Sequence, residues 1–150
     1  MNTVPTVGFN CERVKGTVGK SKGLTFLIWD VGGQERIRPL WRSYTRCTDG
    51  IIFVIDSSEE DNLDEAKLEL WRTMKYQDNR DIPLLVLANK QDLQTALTGP
   101  DIEAALGSYI SNTHIYYCIC NLKGLLCVIY SVTSITLMVC YVHGKYNGYR

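Results

Sequence analysis

Two short stretches carry residue types that could do chemistry together. The first, Trp29-Asp30-Val31-Gly32-Gly33-Gln34, closes an apolar run that begins at Leu24. An acid, two glycines and a glutamine after such a run form the pattern of a buried strand opening into a loop that touches a ligand. Gly32 and Gly33 let the backbone approach an anion closely and can point amides at it. Asp30, at the strand's carboxyl end, suits a hydrated Mg²⁺, which keeps several waters and takes few direct protein ligands. Gln34 can then orient a water for in-line attack on a phosphoryl group, a positioning task that needs no ionised base. The second stretch, Asn89-Lys90-Gln91-Asp92, follows another apolar run and stands 59 positions after Asp30. Asp92 can accept two hydrogen bonds from the ring and exocyclic N–H donors of guanine, and adenine presents no matching pair. Lys90 would lay its methylenes along the base, and Asn89 would tie the loop in place.

The elements that must position these loops are legible in the pattern of the chain. Residues 9–18 and 24–30 read as strands joined by Gly19-Lys20-Ser21-Lys22-Gly23, turn chemistry that predicts an antiparallel hairpin. Residues 50–56 are a continuous apolar run, as a parallel strand buried on both faces requires. Ser57-Ser58-Glu59-Glu60-Asp61 supplies an N-cap and early acids for a helix to about Tyr76, with Leu63, Ala66, Leu70 and Met74 on one face and Trp71 broadening it. Residues 82–88 are the next buried strand, and Thr98-Gly99-Pro100-Asp101 opens a short helix that Gly107 can close. Alternating strand and helix with short connections gives an α/β layered fold.

Asp30-Val31-Gly32-Gly33-Gln34-Glu35, followed by Arg38-Pro39-Leu40-Trp41-Arg42 and Tyr44, resembles switch II of the Arf and Arf-like small GTPases. The resemblance runs from about Asn2 to Leu106, and Thr45-Arg46-Cys47-Thr48-Asp49-Gly50 makes it most similar to the ADP-ribosylation factor-like subfamily 4. It implies a switch that binds GTP and hydrolyses it to GDP with Mg²⁺. Its partners would be an exchange factor, a GTPase-activating protein and effectors of membrane traffic and signalling. Met1 to Asn10 resembles the end of switch I, so Thr6 would place its hydroxyl on Mg²⁺ and its backbone amide near the terminal phosphate, and with Asp30, Gly33 and Gln34 would form the Mg²⁺ and phosphate side. Phe9, Trp29 and Tyr44 match three aromatics that the family uses to read effectors, with ordinary core as the competing reading. Trp41 is expected to join them in an exposed patch, where aromatics carry much of a partner's binding energy. Arg36, Arg38, Arg42 and Arg46 read as a solvated face.

The resemblance also implies parts that these residues lack. Val14 to Ser21 nearly spells the phosphate-cradling loop, but Val14 stands in place of its first glycine and a strand follows instead of a helix. The family's own phosphate loop precedes switch I, on a first strand and helix that this sequence does not contain. Each charge-assisted hydrogen bond so lost is worth about 1.5 to 3 kcal/mol, so the chain by itself is expected to bind GTP poorly or not at all. The fold expected is therefore an incomplete small-GTPase (P-loop NTPase-type) α/β fold. Its first strand and helix are absent, its last strand and helix are replaced, and the missing central strand leaves two unpaired edges. Residues 1–108 form the partial GTPase domain, and 109–150 a divergent apolar tail.

Composition agrees with a body and a tail that differ in kind. All 16 acids and 13 of the 16 Lys and Arg residues precede position 114, leaving the body at −3 and the tail at +3. Neither part has the basic stripe of a nucleic-acid binder. Six cysteines without zinc or secreted-scaffold spacing, and no signal peptide, read as reduced cytosolic thiols. Gly124 to Val142 is 19 residues without a charge. A bilayer-spanning tail anchor is one reading of it. A second is a strand at Leu125 to Val132, seated in the sheet's central gap. The third is sequence appended by an alternative exon, a read-through intron or an erroneous gene model.

Overall fold

The computed structural model describes residues 8–17, 22–58, 60–76, 82–107, 115–119 and 135–142. Its strands are β1 (Phe9–Lys15), β2 (Thr25–Val31), β3 (Gly50–Asp56), β4 (Leu84–Asn89), β5 (Ile115–Ile119) and β6 (Ile135–Val142), and its helices α1 (Trp41–Thr45), α2 (Leu63–Met74) and α3 (Gly99–Gly107). The six strands form one sheet in the order β1-β2-β6-β3-β4-β5. Only the β1–β2 pair is antiparallel; every other neighbouring pair is parallel.

The β1–β2 hairpin forms as its turn residues require. Gly16 N–H donates to Leu24 O and Gly23 N–H to Gly16 O, both at 2.9 Å, and Gly23 takes the positive φ of +87° that a side chain would disfavour. Of the near-copy of a phosphate loop, Val14 and Lys15 lie in β1 and Gly16 bonds across to Gly23 and Leu24, while residues 18–21 lie outside the described residues. β1 is an outer strand whose Asn10, Glu12, Arg13 and Lys15 blunt its free edge. In contrast, all seven residues of β3 are buried.

Three elements depart from the expectation. The apolar tail does supply a central strand, but over Ile135–Val142, and Leu125–Val132 lies outside the described residues. β6 runs parallel between β2 and β3, pairing Phe26 with Ile135 on one side and Gly50 with Leu137 on the other. The gap expected in mid-sheet is thus filled, and the two unpaired edges do not arise. Because these residues are strand, the 19-residue run is not a single membrane-crossing helix; among the described residues no helix is long and apolar enough to cross. Second, β5 continues the sheet beyond β4 in a stretch where the sequence pattern fades. Third, α2 is entered through a 3-10 turn, Glu60–Asn62, while Ser58 folds back and donates its N–H and hydroxyl to Asp56.

The core lies between the sheet and α2 and α3. Ala66, Leu70 and Met74 of α2, and Ile102 and Leu106 of α3, pack with Phe53, Ile55, Leu84 and Val86. α3 begins with a reciprocal cap: Thr98 Oγ1 and Asp101 Oδ2 share a 2.5 Å hydrogen bond, and Thr98 N–H donates to the same carboxylate at 3.2 Å.

Candidate functional site at the carboxyl ends of the parallel strands

β2, β6, β3 and β4 all run the same way, so Asp30, Asp56 and Asn89 come to one edge of the sheet, where α/β folds place their ligands. Asp30 is level with Val139 and Ile52, and Asp56 is paired with Asn89 four residues further along β3. Three inter-strand steps of about 4.8 Å and four residues of about 3.3 Å separate Asp30 from Asn89 by on the order of 20 Å. That leaves room for a nucleotide laid along the edge.

At the β2 end, the Gly-Gly loop is held from outside. Gly32 N–H donates to Gly8 O at 2.9 Å, so its amide is taken up by the chain before β1 and does not face an anion as expected. Trp41 Nε1–H donates to Gly32 O at 3.0 Å, and Arg38 Nε–H to Gly33 O at 2.8 Å. Asp30 is half-buried at the strand's end. Arg36 donates to the Gln34 carboxamide oxygen at 3.0 Å, an exposed bond that exchanges with water for about 1 kcal/mol or less. Thr6 lies outside the described residues. Among the described residues no three His, Cys, Asp or Glu side chains converge as a metal cluster, so a cation at Asp30 would draw most of its ligands from water and phosphate oxygens, as Mg²⁺ does.

Two expectations are corrected here. Trp41 is 1% exposed and meets Phe53 edge-on at 6.1 Å, so it belongs to the core and not to a partner surface. Its indole fills the space between α1 and the sheet while its N–H satisfies a buried carbonyl, the usual settlement for a buried tryptophan. Arg38 is 8% exposed and pairs with Glu65 at 2.7 Å, so it leaves the solvated face to Arg36, Arg42 and Arg46. Phe9, Trp29 and Tyr44 do come together, with ring centroids 5.2 to 5.9 Å apart and Phe9 51% exposed.

At the β4 end, Lys90 adopts φ +63°, a left-handed conformation rare for a side-chain-bearing residue, and accepts Leu93 N–H at 3.0 Å through its carbonyl. Its ammonium lies 2.5 Å from Asp56 Oδ2. Ser58 donates its N–H and hydroxyl to Asp56 Oδ1 at 3.1 and 2.7 Å. Burial pushes the Asp56 carboxyl up, but the hydrogen bonds from Lys90 and Ser58 and the Lys90 charge outweigh it and hold the group below the usual carboxylate range. Ser57 N–H to Asn89 O at 3.2 Å and Leu97 N–H to Ser57 O at 2.8 Å lace the two strand ends together. Asn89 is half-buried and Asp92 exposed. Asp56 and Arg38 were not singled out by sequence pattern. The one available signal was the Glu65 and Glu69 pair, one turn apart on α2, which marks a place for a cation.

The family model described as "ADP-ribosylation factor family" matches residues 1–126. ADP-ribosylation factor-like protein 4A of Homo sapiens is 53% identical over 115 residues, covering 75% of this chain and 58% of that protein. ADP-ribosylation factor-like protein 4C of Homo sapiens is 56% identical over 106 residues, 71% of this chain and 55% of its own length. The chain thus spans somewhat more than half the length of the curated relatives it matches. Among solved structures, the Arl6 BBS3 small GTPase of Trypanosoma brucei with bound nucleotide analogue GppNp superposes with a TM-score of 0.73 at 29% identity, covering 83% of this chain and 75% of that one.

Proposed function

Because this chain belongs to the ADP-ribosylation factor family, we propose that its edge site binds GTP and GDP and that the parent activity is hydrolysis of GTP to GDP as a switch in membrane traffic and signalling. The observation that carries this reading is the placing of Asp30, Gly33 and Gln34 at one end of a shared strand edge and Asn89, Lys90 and Asp92 at the other. Asp30 and Thr6 would hold Mg²⁺, which when bound neutralises phosphate charge. Gln34 orients the attacking water once Arg36 releases it, and Asp92 reads the guanine edge. The relatives' partners, an exchange factor, an activating protein and effectors, are carried over on the same ground, with action in the cytoplasm.

These 150 residues hold no phosphate-cradling loop, so we expect affinity for nucleotide to be low. A second reading has its own observation: the Phe9–Trp29–Tyr44 cluster presents an exposed aromatic face that can bind a partner without nucleotide. Titration of the 150-residue chain with a fluorescent GTP analogue, with and without Mg²⁺ and with Asp92→Asn as control, separates the two. Saturable, Mg²⁺-dependent, Asp92-sensitive binding supports the switch and refutes the expected weakness. No binding by a folded chain means that these residues do not hold nucleotide without a phosphate-cradling loop, and favours the interaction surface.

A further inference from the structure

The two glycines after β2 are the most freely rotating part of this edge, yet three successive peptide planes there are each held by a bond from outside the loop. The Val31–Gly32 plane is held through Gly32 N–H on Gly8 O. The Gly32–Gly33 plane is held by the Trp41 indole on Gly32 O, and the Gly33–Gln34 plane by the Arg38 guanidinium on Gly33 O. All peptide bonds described are trans, so each carbonyl and the next residue's N–H point in opposite directions across a rigid plane. A side chain that draws the Gly32 carbonyl into the core therefore turns the Gly33 N–H away from it, and one that draws in the Gly33 carbonyl does the same for the Gln34 N–H.

The geometry points to Trp41 and Arg38 as positioning residues that aim the Gly33 and Gln34 amides at the terminal phosphoryl group of the bound nucleotide. This deepens the function proposed above and rests on it. Both side chains are buried, Trp41 1% and Arg38 8% exposed. Both can act this way because each is fixed elsewhere. Trp41 packs against Phe53 of β3. Arg38 is tied by Nη1 to Glu65 at 2.7 Å, with Glu69 at 4.0 Å, so α2 sets the guanidinium. Arg38 and Trp41 are three residues apart on the continuous turn from Arg38–Leu40 into α1, which brings both back over the glycines. The charge-assisted bond from Arg38 and the buried one from Trp41 replace the rigidity that two glycines cannot provide.

The test uses Trp41→Phe, which keeps a buried ring and removes the N–H, and Glu65→Gln, which weakens the anchor of Arg38. In the ligand-free chain, the N–H residual dipolar couplings of Gly33 and Gln34 report plane orientation directly. Trp41→Phe should reorient the Gly33 N–H and so change its coupling, while amide exchange in β3 and β4 stays as in the wild type. Glu65→Gln should move Gln34 and leave Gly33 in place. In the titration, Trp41→Phe should narrow the affinity ratio of GTP over GDP, since only GTP carries the group these amides meet. A folded Trp41→Phe chain with an unchanged Gly33 coupling overturns the positioning role. If Trp41→Phe fails to fold, Glu65→Gln decides the matter through Gln34. Wild-type chain that binds neither nucleotide overturns the function proposed above and the phosphoryl target with it, while the couplings still decide whether Trp41 and Arg38 set the planes.

Discussion

Replacing Lys90 with alanine should destabilise the chain by about 1 kcal/mol at neutral pH, and the penalty should vanish in acid. The ammonium makes one charge-assisted hydrogen bond to Asp56, a contact worth about 1.5 to 3 kcal/mol when well shielded. The Lys90 side chain is 41% exposed and that of Asp56 6%, so solvent screening brings the figure down to about 1 kcal/mol. Alanine is as strained as lysine at φ +63°, so the backbone contributes nothing to the difference. Asp56 is held below its ordinary value of 3.8 in the folded chain. Its contribution is therefore full above that value and is lost as pH falls through the lower, folded one. Urea denaturation of wild type, Lys90→Ala, Asp56→Asn and the double variant at pH 7, repeated in acid as far as folding persists, reads the coupling. With a urea slope of about 1–3 kcal/mol/M, the expected shift in the urea midpoint is about 0.3–1 M. A penalty that stays constant as Asp56 is protonated, or single-variant effects that simply add, would refute the ion pair as the clasp of the base loop.

Trp41→Ala should cost about 3–5 kcal/mol, as for other fully buried aromatics, and a variant that kept its wild-type Tm would put the indole on the surface after all. Phe9→Ala should cost under about 1 kcal/mol because half of the ring is already in water, yet it should alter the fluorescence of neighbouring Trp29; a large loss of stability would mean the aromatic cluster is core. A chain ending at residue 134 should lose cooperative unfolding, since it lacks β6; a monomer with a single sharp urea transition would show that the remaining strands suffice.

What the sequence disclosed depended on whether the signal was local. The bounds of β3 are legible because the unbroken apolar run Ile51–Ile55, flanked by Gly50 and Asp56, admits little else, and the hairpin and the cap of α3 follow from glycines and a Thr-x-x-Asp pattern within a few positions. Trp41 and Arg38 were misjudged because their partners are not local. The arginine's counter-ion is 27 positions away on α2, and without it a run of arginines looks like a wet face. The tryptophan's partner is a backbone carbonyl, which no residue type announces. Lys90 and Asp92 were legible as a motif, but the clasp on Lys90 required knowing that β3 and β4 are neighbours in register. The tail was hardest, because an apolar run of its length fits helix and strand alike and only the sheet decides between them.

The position of β6 has a consequence for how the chain comes off the ribosome. Among the described strands, the one that joins the hairpin to the rest of the sheet comes last in the sequence, so Phe26 waits for Ile135 and Gly50 for Leu137. Until then the nascent chain holds two part-sheets, β1–β2 and β3–β4–β5, each with an open edge of main-chain donors and acceptors. At about 5–20 residues per second, the interval between finishing β4 and finishing β6 lasts several seconds, far longer than hairpin formation. During that time the vacant seat between the part-sheets can accept any strand of matching polarity, including β6 of another nascent copy. Holding those edges apart until the keystone arrives is a task for a chaperone, and the yield of folded chain should depend more on how crowded translation is than on the stability of the finished sheet.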